Sequence, residues 1–324
     1  MHRTNAQVIV SLAALAIAGF AASSQAAMPV APELYLIPGA FPKDQQPDGN
    51  SLVVVAPQGL IVVDTGRHAA HTQQIVDFAT LMNRPVVAII NTHWHLDHIG
   101  GNVMLRDKYP GVSIYASGAL RDAQNGFLKD YRQQLLEAIS TAKPGQDVSA
   151  WRTEIGLIDA GGKLAPTQII DKTATLDVAG RKLTLHMERN AVTAGDLWIE
   201  DAGSRVVAAG DLVTLPVPFL DTACPKQWQA SLDHIAAVQF TTLVPGHGKP
   251  MSPAEFAAYR SAFAVLLTCA DSKQSSAACA DQWLADAGTL IEADDRSRVG
   301  SMIDYYMQAA LRAPAQARPK YCTA

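Results

Sequence analysis

Short apolar runs separated by turn residues dominate much of this chain. Residues 52–56 and 60–63 are two such runs joined by Pro57-Gln58-Gly59, which predicts a buried hairpin. Residues 34–37 predict an earlier short strand inside the Pro-rich segment 29–47. The period then changes: Ile75, Phe78, Ala79 and Met82 share one side of a helix predicted over 72–82, Pro85 ends it, and 86–90 is a further buried strand. Gly100-Gly101 opens a helix running to Lys108, followed by a strand at 112–115. Residues 118–162 are a mostly polar helical stretch containing Pro144-Gly145, read as an insertion over one face. Strands are predicted again at 174–178, 182–187, 197–200, 205–209 and 241–244, with Ala179-Gly180 in a turn, and 252–313 is largely helical. Two strand-rich halves interleaved with helices predict an α/β chain of two sheets between helical layers, without internal repeats.

Composition narrows the function classes. With 48% hydrophobic and 17% charged residues among 324, the chain carries ample core material. The formal net charge is −4 and no dense Lys/Arg run occurs, so nothing reads as a footprint for nucleic acid or an anionic membrane surface; a small-molecule substrate is the expected partner, with oligomeric state left open. The first 26 residues read as an export signal: His2 and Arg3, an apolar stretch over 8–20, then the small residues of Ser24-Gln25-Ala26. That stretch is shorter than the roughly 20 apolar residues of a membrane span. The expected organisation is a signal peptide at 1–26 and a catalytic domain at 27–324, with a C-terminal helical segment at 252–324, secreted or periplasmic. Export makes a disulfide framework of Cys224, Cys269, Cys279 and Cys322 the natural reading. Of three possible pairings the preferred one joins Cys269 to Cys279 across a polar turn and leaves Cys224 with Cys322. Metal ligation by cysteine is disfavoured, since no C-x-x-C spacing is present.

The chemistry concentrates in Asn91-Thr92-His93-Trp94-His95-Leu96-Asp97-His98-Ile99-Gly100-Gly101-Asn102, between a buried strand and a helix. In extended chain, His93 and His95 point to the same side and converge; Asp97 and His98 lie where the chain turns and address a second point. Three imidazoles and a carboxylate in six residues suit zinc or another borderline metal. Asp211 ends an apolar run within Gly210-Asp211, and His247 follows another within Gly246-His247-Gly248. Both are polar groups carried to a strand end, with glycine allowing close approach.

The run His93, His95, Asp97, His98, the upstream Asp64-Thr65-Gly66, Gly210-Asp211 and Pro245-Gly246-His247-Gly248 together resemble the metallo-β-lactamase superfamily, in that family's order over residues 51–250. The resemblance implies an αββα sandwich of two mixed sheets flanked by helices, with metals at one sheet edge. It also implies one metal site of two motif histidines plus a later histidine, and a second of the motif Asp and last His plus a terminal His, with an Asp bridging. Carried over, the second site is complete as Asp97, His98, Asp211 and His247. The first keeps His93 and His95, with Asp211 available to be shared, but Val192 stands in Val192-Thr193-Ala194-Gly195-Asp196 where the later histidine belongs. The expectation is therefore one tight Zn2+ in the second site and a weak or absent first-site ion, with His186, Glu188 or Asn190 as possible substitute ligands.

On this resemblance the chain is a zinc hydrolase in which hydroxide formed near neutral pH attacks a carbonyl of a β-lactam, lactone, ester or thioester. Asp97 orients the nucleophile and takes its proton. Residues 212–220 offer an apolar pocket wall, and 118–162 a cap that selects substrate. No Lys or Arg is recognisable as an anchor for a β-lactam carboxylate. Phosphodiester cleavage is disfavoured by charge, and persulfide oxidation by the missing histidine. A metal-binding accessory protein that has lost turnover is the alternative. His68 and His71 are expected at a helix start, His234 in a helix as a structural residue, and Asp64 in the turn, hydrogen-bonding to the ligands.

Overall fold

The computed structural model describes residues 27–41, 45–314 and 319–323. The export signal expected at 1–26 lies outside the described residues. In chain order the first half carries strands β1 (Met28–Ala31), β2 (Leu34–Ile37), β3 (Ser51–Ala56) and β4 (Gly59–Val63), helix α1 (Ala69–Leu81), β5 (Val86–Ile90), the one-turn α2 (Leu96–Ile99), α3 (Asn102–Lys108) and β6 (Ser113–Ala116). Four helices follow, α4 (Ala119–Asn125), α5 (Phe127–Ser140), α6 (Ser149–Asp159) and α7 (Gly161–Leu164), and then β7 (Gln168–Ile169). The second half carries β8 (Ala174–Val178), β9 (Arg181–Arg189), β10 (Gly195–Asp201), β11 (Val206–Thr214), α8 (Pro225–Ala236) and β12 (Thr242–His247). Helices α9 (Pro253–Ala270), α10 (Ser276–Ala287) and α11 (Arg296–Tyr306) close it.

The strands form two mixed sheets, one ordered β1 to β7 and one ordered β12-β11-β10-β9-β8. Strands β4 to β7 run parallel, as do β11 and β12, while the remaining pairs are antiparallel. The continuous apolar runs are explained by burial on both faces. Leu52, Val54, Ile61 and Val63 point between the sheets to meet Leu185, Ile199 and Ala208. Their neighbours Val53, Val55, Leu60 and Val62 turn outward against Ile75 and Phe78 of α1. In β11, Val206 and Ala208 face the other sheet, and Val207 and Ala209 pack beneath the C-terminal helices. Each such Val, Leu, Ile or Phe side chain contributes roughly 1.5–3 kcal/mol on full burial, the alanines less. The result is the αββα sandwich expected from the residues.

Three details differ from the sequence reading. β1 pairs with β2 within the Pro-rich segment. β11 does not end before Asp211 but continues to Thr214, and β12 runs on to His247. Gly210 makes the continuation possible: at φ +53 it shifts the register, and a side chain there would lie 2.6 Å from Thr92. Both disulfides adopt the preferred pairing, Cys269–Cys279 and Cys224–Cys322. Among the described residues no helix is long and apolar enough to cross a membrane.

Candidate metal centre

Parallel strands deliver side chains at their carboxyl ends, and four such ends meet at one edge of the sandwich. Asp64 follows β4, the segment 91–95 follows β5, and Asp211 and His247 stand near the ends of β11 and β12. The six expected ligands gather into two donor groups. His93, His95 and Asp211 form one, and Asp97, His98 and His247 the other, the donor atoms of each lying within 4.8 Å of one another. Asp211 faces both: Oδ2 is 3.6 Å from His93 Nε2, while Oδ1 is 3.2 Å from His98 Nε2 and 3.6 Å from His247 Nε2. It thus lies between the two groups, in the bridging position that the family resemblance implies for an Asp. Gly246 permits this approach, since a Cβ there would sit 2.0 Å from Asp211 Oδ1.

The donors fit a cation. Among the described residues His98 Nε2 and Asp211 Oδ1 are buried without a hydrogen-bond partner although they lie close together. In the first group the hydroxyls dictate the tautomers. Thr92 Oγ1 donates to Asp64 Oδ2 at 2.7 Å, so it accepts from His93 Nδ1 at 3.0 Å and leaves Nε2 unprotonated. His95 Nε2 lies 2.9 Å from Thr222 Oγ1, which in turn donates to the Val192 carbonyl, so His95 keeps its lone pair on Nδ1. His93 Nε2 and His95 Nδ1 are 2.8 Å apart. With these tautomers both lone pairs face the same space, as two imidazole ligands of one cation do.

Electrostatics differ between the two groups. Burial pushes the His95 imidazole down to about 4, and burial with His98 and His95 nearby holds His93 well below its ordinary value, so both are neutral donors. Burial also opposes a charge on His98, yet Asp211, Asp64 and Asp97 raise it well above the usual imidazole range. Burial would raise the Asp97 carboxyl, but His98, a hydrogen bond from His247 and Arg67 hold it well below the carboxylate range.

Supporting residues come from far along the chain. Asp64, at φ 57, accepts from Thr92 N, Thr92 Oγ1 and His98 Nδ1, orienting a donor in each group. Arg67, largely shielded from solvent, stands 3.5 Å from Asp97 Oδ1 and donates to Glu154 Oε1 of α6 at 2.9 Å. Tyr131 of α5 donates to the other Glu154 oxygen at 2.6 Å. Asn50 Nδ2 donates to the carbonyls of Pro245 and Gly248, bracketing His247. Thr222, Arg67, Glu154 and Asn50 were not anticipated; only Arg67, directly after Asp-Thr-Gly, carried a local signal.

The substitute ligands lie elsewhere. His186 pairs with Glu200 and stacks on Trp198, and Glu188 accepts from Trp198, Ser231 and His234. Asn190 sits in a bend at φ 57, its backbone N donating to the Ala194 carbonyl. His68 stands at the N-terminal boundary of α1 with its side chain paired to Asp48, His71 bonds Ser51, and His234 lies on α8.

A cavity of about 590 Å³ opens over Asp97, Asp211, His247 and His95. Leu215, Pro216, Val217 and Phe219 form part of its wall, while Leu212, Val213 and Leu220 pack into the core. Phe127, Leu128 and Tyr131 reach it from α5, and Met302, Tyr305 and Tyr306 from α11. Seven of the 21 aromatic residues of the chain line this cavity, which makes it apolar and suited to a bulky apolar group. Arg67 is the cation in its lining, but Glu154, Asp97 and the Pro47 carbonyl engage it.

Comparison with known proteins agrees with this geometry. The sequence model of the metallo-beta-lactamase superfamily matches residues 46–247, well over half of the chain, and the chain belongs to that superfamily. It is 29% identical over 231 residues to a linear primary-alkylsulfatase of a Pseudomonas sp., covering 63% of this chain and 42% of the relative. A hydroxyacylglutathione hydrolase of Gloeobacter violaceus is 42% identical over 48 residues, 15% of this chain and 19% of that protein. The chain thus spans less than half the length of these curated relatives. Among solved structures, a metallo-beta-lactamase from Pontibacter korlensis superposes with a TM-score of 0.53 at 17% identity, over 74% of this chain and 98% of that one. The sec-alkylsulfatase Pisa1 from Pseudomonas sp. gives 0.57 at 18% identity, over 91% of this chain and 52% of that one. At these identities the structures attest the fold.

Proposed function

We propose that this chain is a metal-dependent hydrolase of small molecules, cleaving a β-lactam, lactone, ester or thioester carbonyl bond next to a bulky apolar group. The observation that carries this reading is the pair of donor groups joined by Asp211 at the floor of an aromatic cavity. His93, His95 and Asp211 would hold one ion and Asp97, His98, His247 and Asp211 the other. Zinc at these positions supplies Lewis acidity and makes water nucleophilic near neutral pH. The chain supplies the rest. Asp97, ionised and held by Arg67 on Oδ1, orients the attacking water through its carboxylate and takes the departing proton. Trp94, Phe127 and Phe219 exclude bulk water and pack the apolar part of the substrate. Helices α4 to α7 act as the cap that selects substrate, within a catalytic domain spanning 27–324. Two disulfides support an oxidising compartment and an exported, periplasmic or secreted protein.

The alkylsulfatase relative favours a second reading, a sulfate ester whose alkyl chain fills the same cavity. A screen of β-lactam, lactone, thioester, aryl ester and alkyl sulfate substrates, with metal content measured alongside, separates the two. Asp97→Ala should lower turnover of the active substrate at least about 100-fold. No turnover of any substrate by zinc-loaded protein would favour the metal-binding accessory role instead, in which Asp97→Ala keeps partner binding.

A further inference from the structure

The first donor group lacks the third imidazole, yet His95 is not left loose. Thr222 Oγ1 stands 2.9 Å from His95 Nε2 and donates to the carbonyl of Val192, the residue at the substituted position. A carbonyl only accepts, so the hydroxyl has one free role left toward His95, that of acceptor. It therefore fixes which ring nitrogen carries the proton and turns Nδ1 toward His93. Buried and 127 residues from His95 in sequence, Thr222 is itself anchored from the chain's far end. Tyr321 donates its hydroxyl to the Thr222 carbonyl, Cys322 is bonded to Cys224, and Cys224 N donates to the carbonyl of Ala191. The segments 191–192 and 222–224 are thereby tied together, with residues 319–323 strapped across them.

We propose that Thr222 is a positioning residue for the first metal centre, compensating for Val192 by locking the His95 tautomer, and that the C-terminal strap keeps Thr222 in place. The proposal rests on the reading of His93, His95 and Asp211 as metal ligands. It makes the first centre dependent on an intact Cys224–Cys322 bond, while the second centre has no such dependence.

The test combines two measurements on the full chain. Long-range 1H–15N correlation of 15N-histidine-labelled, zinc-free protein reads the His95 tautomer; zinc titration against a chromogenic chelator reads the two affinities. Wild type should show His95 protonated on Nε2. Thr222→Val should lose that single tautomer and weaken the first zinc roughly 10- to 100-fold, leaving the second within about twofold. Thr222→Ser, which keeps the hydroxyl, should stay within about threefold of wild type at both. The Cys224→Ser/Cys322→Ser pair should weaken the first zinc by about tenfold, and Tyr321→Phe by a few-fold in the same direction. Thr222→Val with a wild-type tautomer and titration overturns the proposal, as does Thr222→Ser behaving like Thr222→Val. His95→Ala separates the two levels of argument. If it leaves zinc binding unchanged, the metal reading of the first group fails; if it loses an ion while Thr222→Val does not, only the role of Thr222 fails.

Discussion

The two donor groups sit side by side and share Asp211, but they are supported by different chemistry. Behind Asp97, His98 and His247 stand charged partners: Asp64 on His98 Nδ1, and Arg67 with Glu154 on Asp97. Behind His93 and His95 stand neutral hydroxyls, Thr92 and Thr222, and a backbone carbonyl at Val192. The second group also owns a carboxylate, whereas the first borrows one. A dication in a buried site gains most from anionic ligands, so the second group should bind zinc more tightly. In the first group hydrogen bonds orient both imidazoles although the Val192 side chain offers no donor.

Several substitutions break or sharpen this contrast. The largest effect should come from Asp211→Ala, which removes the shared carboxylate: both ions should be lost from the purified protein and turnover should fall at least about 1,000-fold. Retention of one ion would show that the groups are independent. Asp64→Asn comes next, weakening zinc by roughly 10- to 100-fold at both groups, because Asp64 reaches His98 directly and His93 through Thr92. An effect confined to the second group, read by zinc titration, would refute the Thr92 relay. Val192→His should erase the difference, tightening the first zinc by about tenfold while lowering stability by roughly 1–3 kcal/mol for a larger polar ring in a packed site.

The smallest effect concerns stability alone. Burial, aided by Asp211, pushes the Asp196 carboxyl up to about 7 despite hydrogen bonds from Thr193. The folded state therefore holds this proton more tightly than the unfolded chain. The stability it contributes is complete below the ordinary value of 3.8 and is lost as pH rises through about 7. Asp196→Asn should accordingly raise unfolding free energy at pH 8 by roughly 2 kcal/mol and change it little at pH 4, checked by urea denaturation at both. An equal gain at both pH values would contradict the assignment.

What could be read from residues alone follows the range of the interactions. Continuous apolar runs announced strands buried on both faces, and the six candidate ligands that meet at the sheet edge were legible because their types and local spacing carry the chemistry. The continuation of β11 was not, since Gly210 breaks the apolar run while its positive φ lets the strand pass Thr92. Arg67 with Glu154, Thr222 with His95 and Asn50 with Pro245 meet across 87, 127 and 195 residues. No period or motif encodes such pairings; only the packed fold brings them together.

Zinc stoichiometry at controlled free-metal concentration tests the central claim most directly. Elemental analysis of the full chain, equilibrated against chelators of graded strength, should find one ion retained by the strongest buffer that leaves any metal bound and a second appearing only at higher free zinc. Two ions of equal tightness, or none at any concentration, would contradict the account.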